Sequence, residues 1–308
     1  MPCYHPITGW RTIKGTVVFG LAGPDTTTER LQVPCGQCIG CRLERSRQWA
    51  IRCVHEATLH KENAFITLTY DQEHLPPDGG LVKKHWQNFA KAVRRHLDDE
   101  TKQTNTHRRT FRYFHCGEYG DEYGRPHYHA AIFGIDFSGD RKIWQVRNNQ
   151  ELYVSPLLEK LWGRGFCTVG ELTFDSAAYV ARYVMKKING PKAEEHYQRI
   201  NKKTGETWTV QPEYTTMSRN KGIGHGWIEK YNTEVRESDA VLMNGKELKP
   251  PIFYDKHYEI NDPHGYEKMK ENRKRKAIKN KENYTPKKLH IKEKITQIKM
   301  KQLVRQLE

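Results

Sequence analysis

Gly117-Glu118-Tyr119-Gly120-Asp121-Glu122-Tyr123-Gly124-Arg125-Pro126-His127-Tyr128-His129-Ala130-Ala131-Ile132-Phe133-Gly134 is the stretch on which the reading of the chain turns. It opens with a carboxylate, passes through a turn rich in Gly and Pro, and closes on two histidines and an apolar run. Side chains alternate between the faces of a strand, so His127 and His129 share one face and Tyr128 takes the other. Residues 130–133 are apolar enough to carry that strand into a core, which seats the imidazoles on rigid backbone. Residues 111–116 read as a second strand ending at Glu118, with residues 119–126 as the hairpin loop that makes the two strands antiparallel neighbours. That pairing brings Glu118 beside the histidines. Two imidazoles and one carboxylate can hold a divalent ion, with Glu122 as the substitute third ligand. The plain alternative is a structural histidine pair beside an ordinary loop charge.

Upstream, Phe65-Ile66-Thr67-Leu68-Thr69-Tyr70 alternates apolar residues with threonine and reads as a strand. Residues 71–80, rich in Pro and Gly, break it. Val82, Trp86, Phe89, Val93 and Leu97 recur at three- and four-residue spacing, predicting an amphipathic helix over residues 81–97 with a basic outer face. Residues 98–109 read as a polar connection. Another helix is predicted from Leu43, with Trp49, Cys53, Val54 and Ala57 on one stripe. Downstream, Ser155-Pro156 pairs an N-cap with proline at the first helical position, starting a short helix that stops at Gly163. Residues 165–173 read as a strand. Asp175 or Ser176 then caps a helix carrying Tyr179-Val180-Ala181-Arg182-Tyr183-Val184-Met185-Lys186-Lys187. Tyrosines four apart lie on one helical face. Either they pack on the sheet, or both hydroxyls point at the metal site.

The 308 residues include 52 Lys and Arg against 37 Asp and Glu, a net charge of +15 that points to a polyanionic partner, nucleic acid first. No apolar run reaches the length of a membrane span, and the start Met1-Pro2-Cys3-Tyr4-His5 lacks the form of a secretory signal, so the expected compartment is cytoplasm. Seven cysteines in such a chain suggest thiols or metal ligands before disulfides. Cys35, Cys38 and Cys41 stand at C-x2-C-x2-C, and Cys3 or His5 could complete a tetrahedral zinc site. An iron–sulfur cluster and simple burial of the thiols are the alternatives. The basic stretch holding Arg219 and Lys221 suits a nucleic-acid backbone or is plain turn structure. The charged region beyond Lys268, with a weak helical pattern at Ile291, Ile295, Ile298 and Leu303, reads as a DNA-tethering arm or a solvated terminus.

A His/His/Glu site leaves positions open for water and a phosphate oxygen, and its mixed ligands admit Mg²⁺ or Mn²⁺. A tyrosine that attacks a phosphodiester forms a stable covalent link, and Lys186 or Lys187 nearby could favour the phenolate and steady the charge that grows on phosphorus. A free 3′-hydroxyl can later attack that link, so resealing needs no ATP. Two tyrosines allow the roles to alternate, which a nuclease using water does not require.

Gly-Arg-Pro-His-Tyr-His followed by Tyr-Val-Ala-Arg-Tyr-Val-Met-Lys-Lys resembles the HUH endonucleases, specifically the replication initiators of microviruses. The opening Met-Pro-Cys-Tyr, the Cys35 to Cys41 run and the strand at residues 65–70 resemble their gokushovirus branch. The resemblance covers roughly residues 1–230. It implies an α+β fold with a central antiparallel sheet flanked by helices and places the nickase domain over residues 43–230; the composition on either side reads as an N-terminal Cys-rich extension over 1–42 and a basic C-terminal region over 231–308, partly helical or disordered. It implies that His127 and His129 bind metal, that Tyr179 and Tyr183 are the nucleophiles, and that Lys186 or Lys187 is the family's lysine. The expected activity is nicking and rejoining of single-stranded origin DNA through a 5′-phosphotyrosine, starting rolling-circle synthesis on replicative-form DNA in the bacterial host's cytoplasm. A host helicase and polymerase are the implied partners. A plasmid relaxase or transposase of the same chemistry, and a non-catalytic basic nucleic-acid-binding module, are the competing readings.

Overall fold

The computed structural model describes residues 3–105, 107, 109–120, 123–147, 150–183, 192–201 and 204–302. In chain order the elements begin β1 (Ile7–Thr12), β2 (Val17–Phe19), β3 (Thr26–Val33), α1 (Ile39–Ala57), β4 (Asn63–Thr69) and α2 (Lys83–Thr104). The hairpin strands β5 (Arg112–Tyr119) and β6 (Pro126–Phe133) follow, then β7 (Lys142–Arg147), β8 (Gln150–Val154), α3 (Pro156–Trp162), β9 (Cys167–Gly170) and α4 (Phe174–Tyr183). Next come α5 (Lys192–Tyr197), β10 (Gln198–Ile200), β11 (Thr207–Thr209), β12 (Tyr214–Met217), α6 (His225–Ser238), β13 (Val241–Met243) and β14 (Lys246–Leu248). The helices α7 (Ile252–Asn261), α8 (Pro263–Lys279) and α9 (Pro286–Gln302) end the described chain. Among the described residues no helix is long and apolar enough to cross a membrane.

Two compact units result, one of residues Ser46–Tyr258 and one of Met1–Arg45 with Glu259–Glu308. The first is built on a seven-stranded sheet of order β12-β5-β6-β4-β9-β8-β7 with antiparallel pairing between neighbours. This is the α+β architecture expected, an antiparallel sheet with helices on it. One face carries Ile66, Leu68, Tyr128, Ala130, Ile132 and Val169, all essentially buried in a core shared with Trp86, Phe89 and Val93 of α2 and Leu158 and Trp162 of α3. The opposite face receives α4 and the Trp49 turn of α1, whose indole stacks on Phe114 at 4.5 Å. Ser46 Oγ donates to the Ala178 carbonyl at 2.8 Å and ties those two helices together.

Several local expectations hold to the residue. Ser155 accepts a hydrogen bond from Leu158 N at 3.1 Å with Pro156 in the first turn, and α3 ends at Gly163 with φ 58°. The strand with His127 and His129 pairs antiparallel with the strand carrying Glu118, which runs one residue further than expected, to Tyr119. Other boundaries move. The 98–109 connection is helical as far as Thr104, because Asp98, Asp99, Glu100 and Lys102 tolerate a solvated helix and Asn105 closes it in the left-handed conformation. The α4 cap is Thr173: its Oγ1 accepts from Ser176 N at 3.1 Å, and Ser176 Oγ accepts from Thr173 N at 2.8 Å, a reciprocal cap in which Ser176 plays the inner part. The basic stretch around Arg219 is pinned: Arg112 donates to the Asn220 carbonyl at 2.8 Å, and Glu56 accepts from Gly224 N at 2.7 Å. The charged region beyond Lys268 is helical in α8 and α9.

In the other unit, β2-β1-β3 form a small antiparallel sheet. The helices α8 and α9 bury Met269 and Leu289. Residues just after Cys3 hold α9: Tyr4 Oη lies 2.7 Å from Thr296 Oγ1, and His5 Nε2 lies 2.7 Å from Glu293 Oε2.

Candidate active site

The β5–β6 register sets Glu118 directly opposite His127 and Cys116 opposite His129, and the β4–β6 register sets Thr67 opposite His129 and Thr69 opposite His127. Period-two alternation then gathers Glu118, both histidines and both threonines on the face away from the α2 core. His127 Nε2 lies 2.6 Å and His129 Nε2 2.9 Å from the same Glu118 oxygen, Oε1. Ligand atoms of the three residues all fall within 4.8 Å of one another, a spacing one metal ion can bridge. Glu118 is 1% exposed and His129 3%. Burial alone would push the Glu118 carboxyl up, but hydrogen bonds from His127 and His129 outweigh it and hold the group below its ordinary value. The donor set of two imidazole nitrogens and an ionised carboxylate suits a divalent cation.

Neighbouring backbone and side chains fix the rings. His127 Nδ1 lies 3.1 Å from the Arg125 carbonyl, which can only accept, so Nδ1 donates there and Nε2 is the nitrogen turned toward Glu118. Thr67 Oγ1 lies 2.9 Å from His129 Nδ1 and orients the second ring. Arg125 donates to the Tyr70 carbonyl at 3.0 Å, tying the turn before the histidines to the end of β4. Gly117 faces the ring of Tyr128, where an added Cβ would stand 3.2 Å from the ring and 3.0 Å from Leu81, so glycine makes room for the residue between the histidines.

Tyr179 lies on α4 against this cluster. Its ring is edge-on to His129 at 5.2 Å between centroids and to Phe65 at 6.0 Å. A tyrosine 50 residues from the second histidine in sequence therefore meets it on the same face of the sheet. Tyr183 is the last residue of α4, one helical turn further on. Lys186, Lys187 and Glu122 lie outside the described residues. Arg219 and Lys221 are exposed just beyond β12, which ends opposite Phe114; that is the Arg112 end of β5, roughly 15–20 Å along the strand from Glu118. The structure does not bring those two cations to the triad. Cys3, Cys35, Cys38 and Cys41, in the other unit, form a second cluster with sulfur atoms within 4.8 Å of one another. Sequence reasoning missed the role of Thr67; its signal was the Thr-x-Thr of β4, whose side chains must share a face with whichever strand pairs beside it.

An antiparallel sheet with a His-x-His pair and a carboxylate on adjacent strands, covered by a tyrosine-bearing helix, defines a class of α+β protein with a metal-competent side-chain cluster beside a tyrosine ring. Comparison with known proteins makes the assignment narrower. Residues 63–188, which span β4, the hairpin and α4, match the family model of the replication-associated protein ORF2/G2P. The chain is 32% identical over 266 residues to the replication-associated protein VP4 of Bdellovibrio phage phiMH2K, covering 85% of this chain and 79% of that one. It is 31% identical over 236 residues to the replication-associated protein ORF2 of Spiroplasma virus 4, covering 74% and 68%. A match of 33% over 169 residues to the replication-associated protein ORF4 of Chlamydia phage 1 covers 51% and 38%. The chain belongs to this family of phage replication-associated proteins, the microvirus replication initiators. No solved structure matches it.

Proposed function

We propose that the protein initiates rolling-circle replication in the host cell by nicking single-stranded origin DNA and later rejoining it, through a 5′-phosphotyrosine on Tyr179 or Tyr183. The observation that carries this reading is the meeting of Glu118, His127, His129 and Tyr179 on one face of the sheet from segments distant in sequence. The triad would hold Mg²⁺ or Mn²⁺, which supplies Lewis acidity to a bound phosphodiester. The tyrosine Oη bonds to phosphorus, the P–O3′ bond breaks, and the 3′-oxygen leaves with a proton as a free hydroxyl able to prime synthesis. Attack by a 3′-hydroxyl on the phosphotyrosine reverses the step and returns the proton to the phenol. Because the bond energy stays in the protein link, no nucleotide cofactor is needed. Lys186 and Lys187, following α4 in sequence, are the candidates to favour the phenolate. The net charge of +15 supplies the attraction for single-stranded and replicative-form DNA, and a host helicase and polymerase would complete the replisome.

The test is covalent capture. Single-stranded fragments tiling the phage genome are incubated with the full chain and Mn²⁺, and SDS-resistant adducts are sought. One fragment should give an adduct that vanishes in the Tyr179→Phe, Tyr183→Phe double variant. Cleavage without an adduct, or an adduct that persists in the double variant, overturns the proposal.

A further inference from the structure

We infer that Cys3, Cys35, Cys38 and Cys41 bind a structural zinc ion that clamps the chain's N-terminal segment to its basic C-terminal helix α9. All four sulfurs lie within 4.8 Å of one another. The Cys3 and Cys38 Sγ atoms are 3.9 Å apart, close to the edge of about 3.8 Å expected for a tetrahedron with metal–sulfur bonds of about 2.3 Å, and far from the ~2.05 Å of a disulfide. The backbone is already arranged as thiolate ligands require. Tyr4 N donates to Cys38 Sγ, Cys35 N to Cys3 Sγ and Cys38 N to Cys35 Sγ, each at 3.3 Å. Amide hydrogens aimed at sulfur favour its negative form and fix the ligand geometry. Four soft ligands in a closed set leave no place for substrate, which marks the site as structural and distinct from the His/His/Glu cluster.

The consequence comes from the ligand that is far away in sequence. Cys35, Cys38 and Cys41 sit together at the entry to α1, whereas Cys3 arrives from 32 residues upstream of the first of them. An ion bound there closes that loop and fixes the backbone of the next two residues. Those residues are the ones that grip α9, Tyr4 through Thr296 and His5 through Glu293. The gripped helix carries Lys287, Lys288, Lys292 and Lys294. Zinc at the thiols therefore governs whether a lysine-rich helix is held in place or released.

The full chain, purified without added metal and desalted, is analysed for zinc, iron and acid-labile sulfide. About one zinc per chain is expected, retained in His129→Ala and lost in Cys38→Ser. A folded wild-type chain without zinc, a preparation containing iron and sulfide, or zinc that survives Cys38→Ser overturns the site. The clamp is read on the wild-type chain by limited trypsin digestion before and after zinc is stripped with a chelator. Cleavage within α9 should accelerate about tenfold or more on stripping and slow again when zinc is restored, because proteolysis follows local opening. Equal rates in the loaded and stripped chains overturn the clamp even where zinc is present.

Discussion

Thr67→Val removes one hydroxyl and little else. Valine keeps the volume and the β-branching that suit a central strand, so β4 should form as before between β6 and β9. What is lost is the contact of 2.9 Å between Thr67 Oγ1 and Nδ1 of His129, a ring only 3% exposed. Removing one partner of a buried hydrogen bond costs about 1–3 kcal/mol, and losing an outer partner of a metal-binding imidazole lowers metal affinity about 10–100-fold. The two ranges agree, since about 1.4 kcal/mol is tenfold. Adduct formation titrated with Mn²⁺ should therefore show a half-saturation point about 10–100 times higher in Thr67→Val, with adduct recovered at saturating ion. The melting temperature should fall by about 2–4 °C per kcal/mol lost, which keeps the variant folded at the assay temperature. A folded variant whose Mn²⁺ half-saturation is unchanged would show that Thr67 does not orient the ring, and the account of why β4 bears threonine there would fail.

Three further outcomes follow from other parts of the sheet. His115 is fully buried, stacked on Trp86 at 3.8 Å, and burial pushes its imidazole down to about 3 from the ordinary 6.5. The unfolded chain thus binds a proton that the fold excludes, so stability is complete above about pH 6.5 and is lost as pH falls toward 3, by on the order of 5 kcal/mol in all. Urea midpoints measured from pH 7 to 4 should decline less steeply in His115→Phe than in the wild type; parallel curves refute this. Gly134→Ala should destabilise by several kcal/mol, because φ is +96° and the added Cβ would stand 2.0 Å from the Thr110 carbonyl oxygen, forcing the backbone apart at the end of β6; a thermal midpoint near wild type would contradict it. His127→Ala and His129→Ala should abolish nicking yet keep most of the salt-dependent DNA affinity, since phosphate contacts are spread over many cations. A gel shift lost in parallel with cleavage argues against that separation.

The parts of the fold that could be read from sequence were those where local chemistry dictates one answer. His127 and His129 had to share a strand face, and Ser155-Pro156 and Gly163 bounded a helix by capping alone. Two pieces of the site were only partly legible. Glu118 and Glu122 were both in reach of the histidines until the register set Glu118 opposite His127. Register is a long-range property, settled by which residues fill the α2 core. The hairpin of β7 and β8 escaped notice because Ile143, Trp144 and Val146 are exposed at the sheet edge, so no alternation toward a core marks the segment. The extension of α2 through Asp98 to Thr104 escaped for the opposite reason: an outer helical turn needs no apolar residue at all. In Arg219 and Lys221 the basic composition gave no location, and pairing of β12 with β5 puts them at the far end from the triad.

The residue between the histidines explains how the site attains its precision. Tyr128 is fully buried on the opposite face; its hydroxyl accepts from Val82 N at 3.0 Å, donates to the Val82 carbonyl at 3.0 Å and lies 2.9 Å from the Tyr70 hydroxyl. Adjacent strand residues share a peptide plane on each side, so a ring fixed below the sheet limits the tilt of both imidazoles above it. Tyr70, the last residue of the Phe-Ile-Thr-Leu-Thr-Tyr run, belongs to the same network, and its hydroxyl reaches His85 of α2 at 2.6 Å. The strand motif and the histidine motif are thus coupled through the core side of the sheet as well as through Thr67 on the site side. This makes the intervening aromatic a positioning residue. A Tyr128→Phe substitution keeps the packing but removes the hydroxyl tie to Val82, so it should loosen the histidines without touching them.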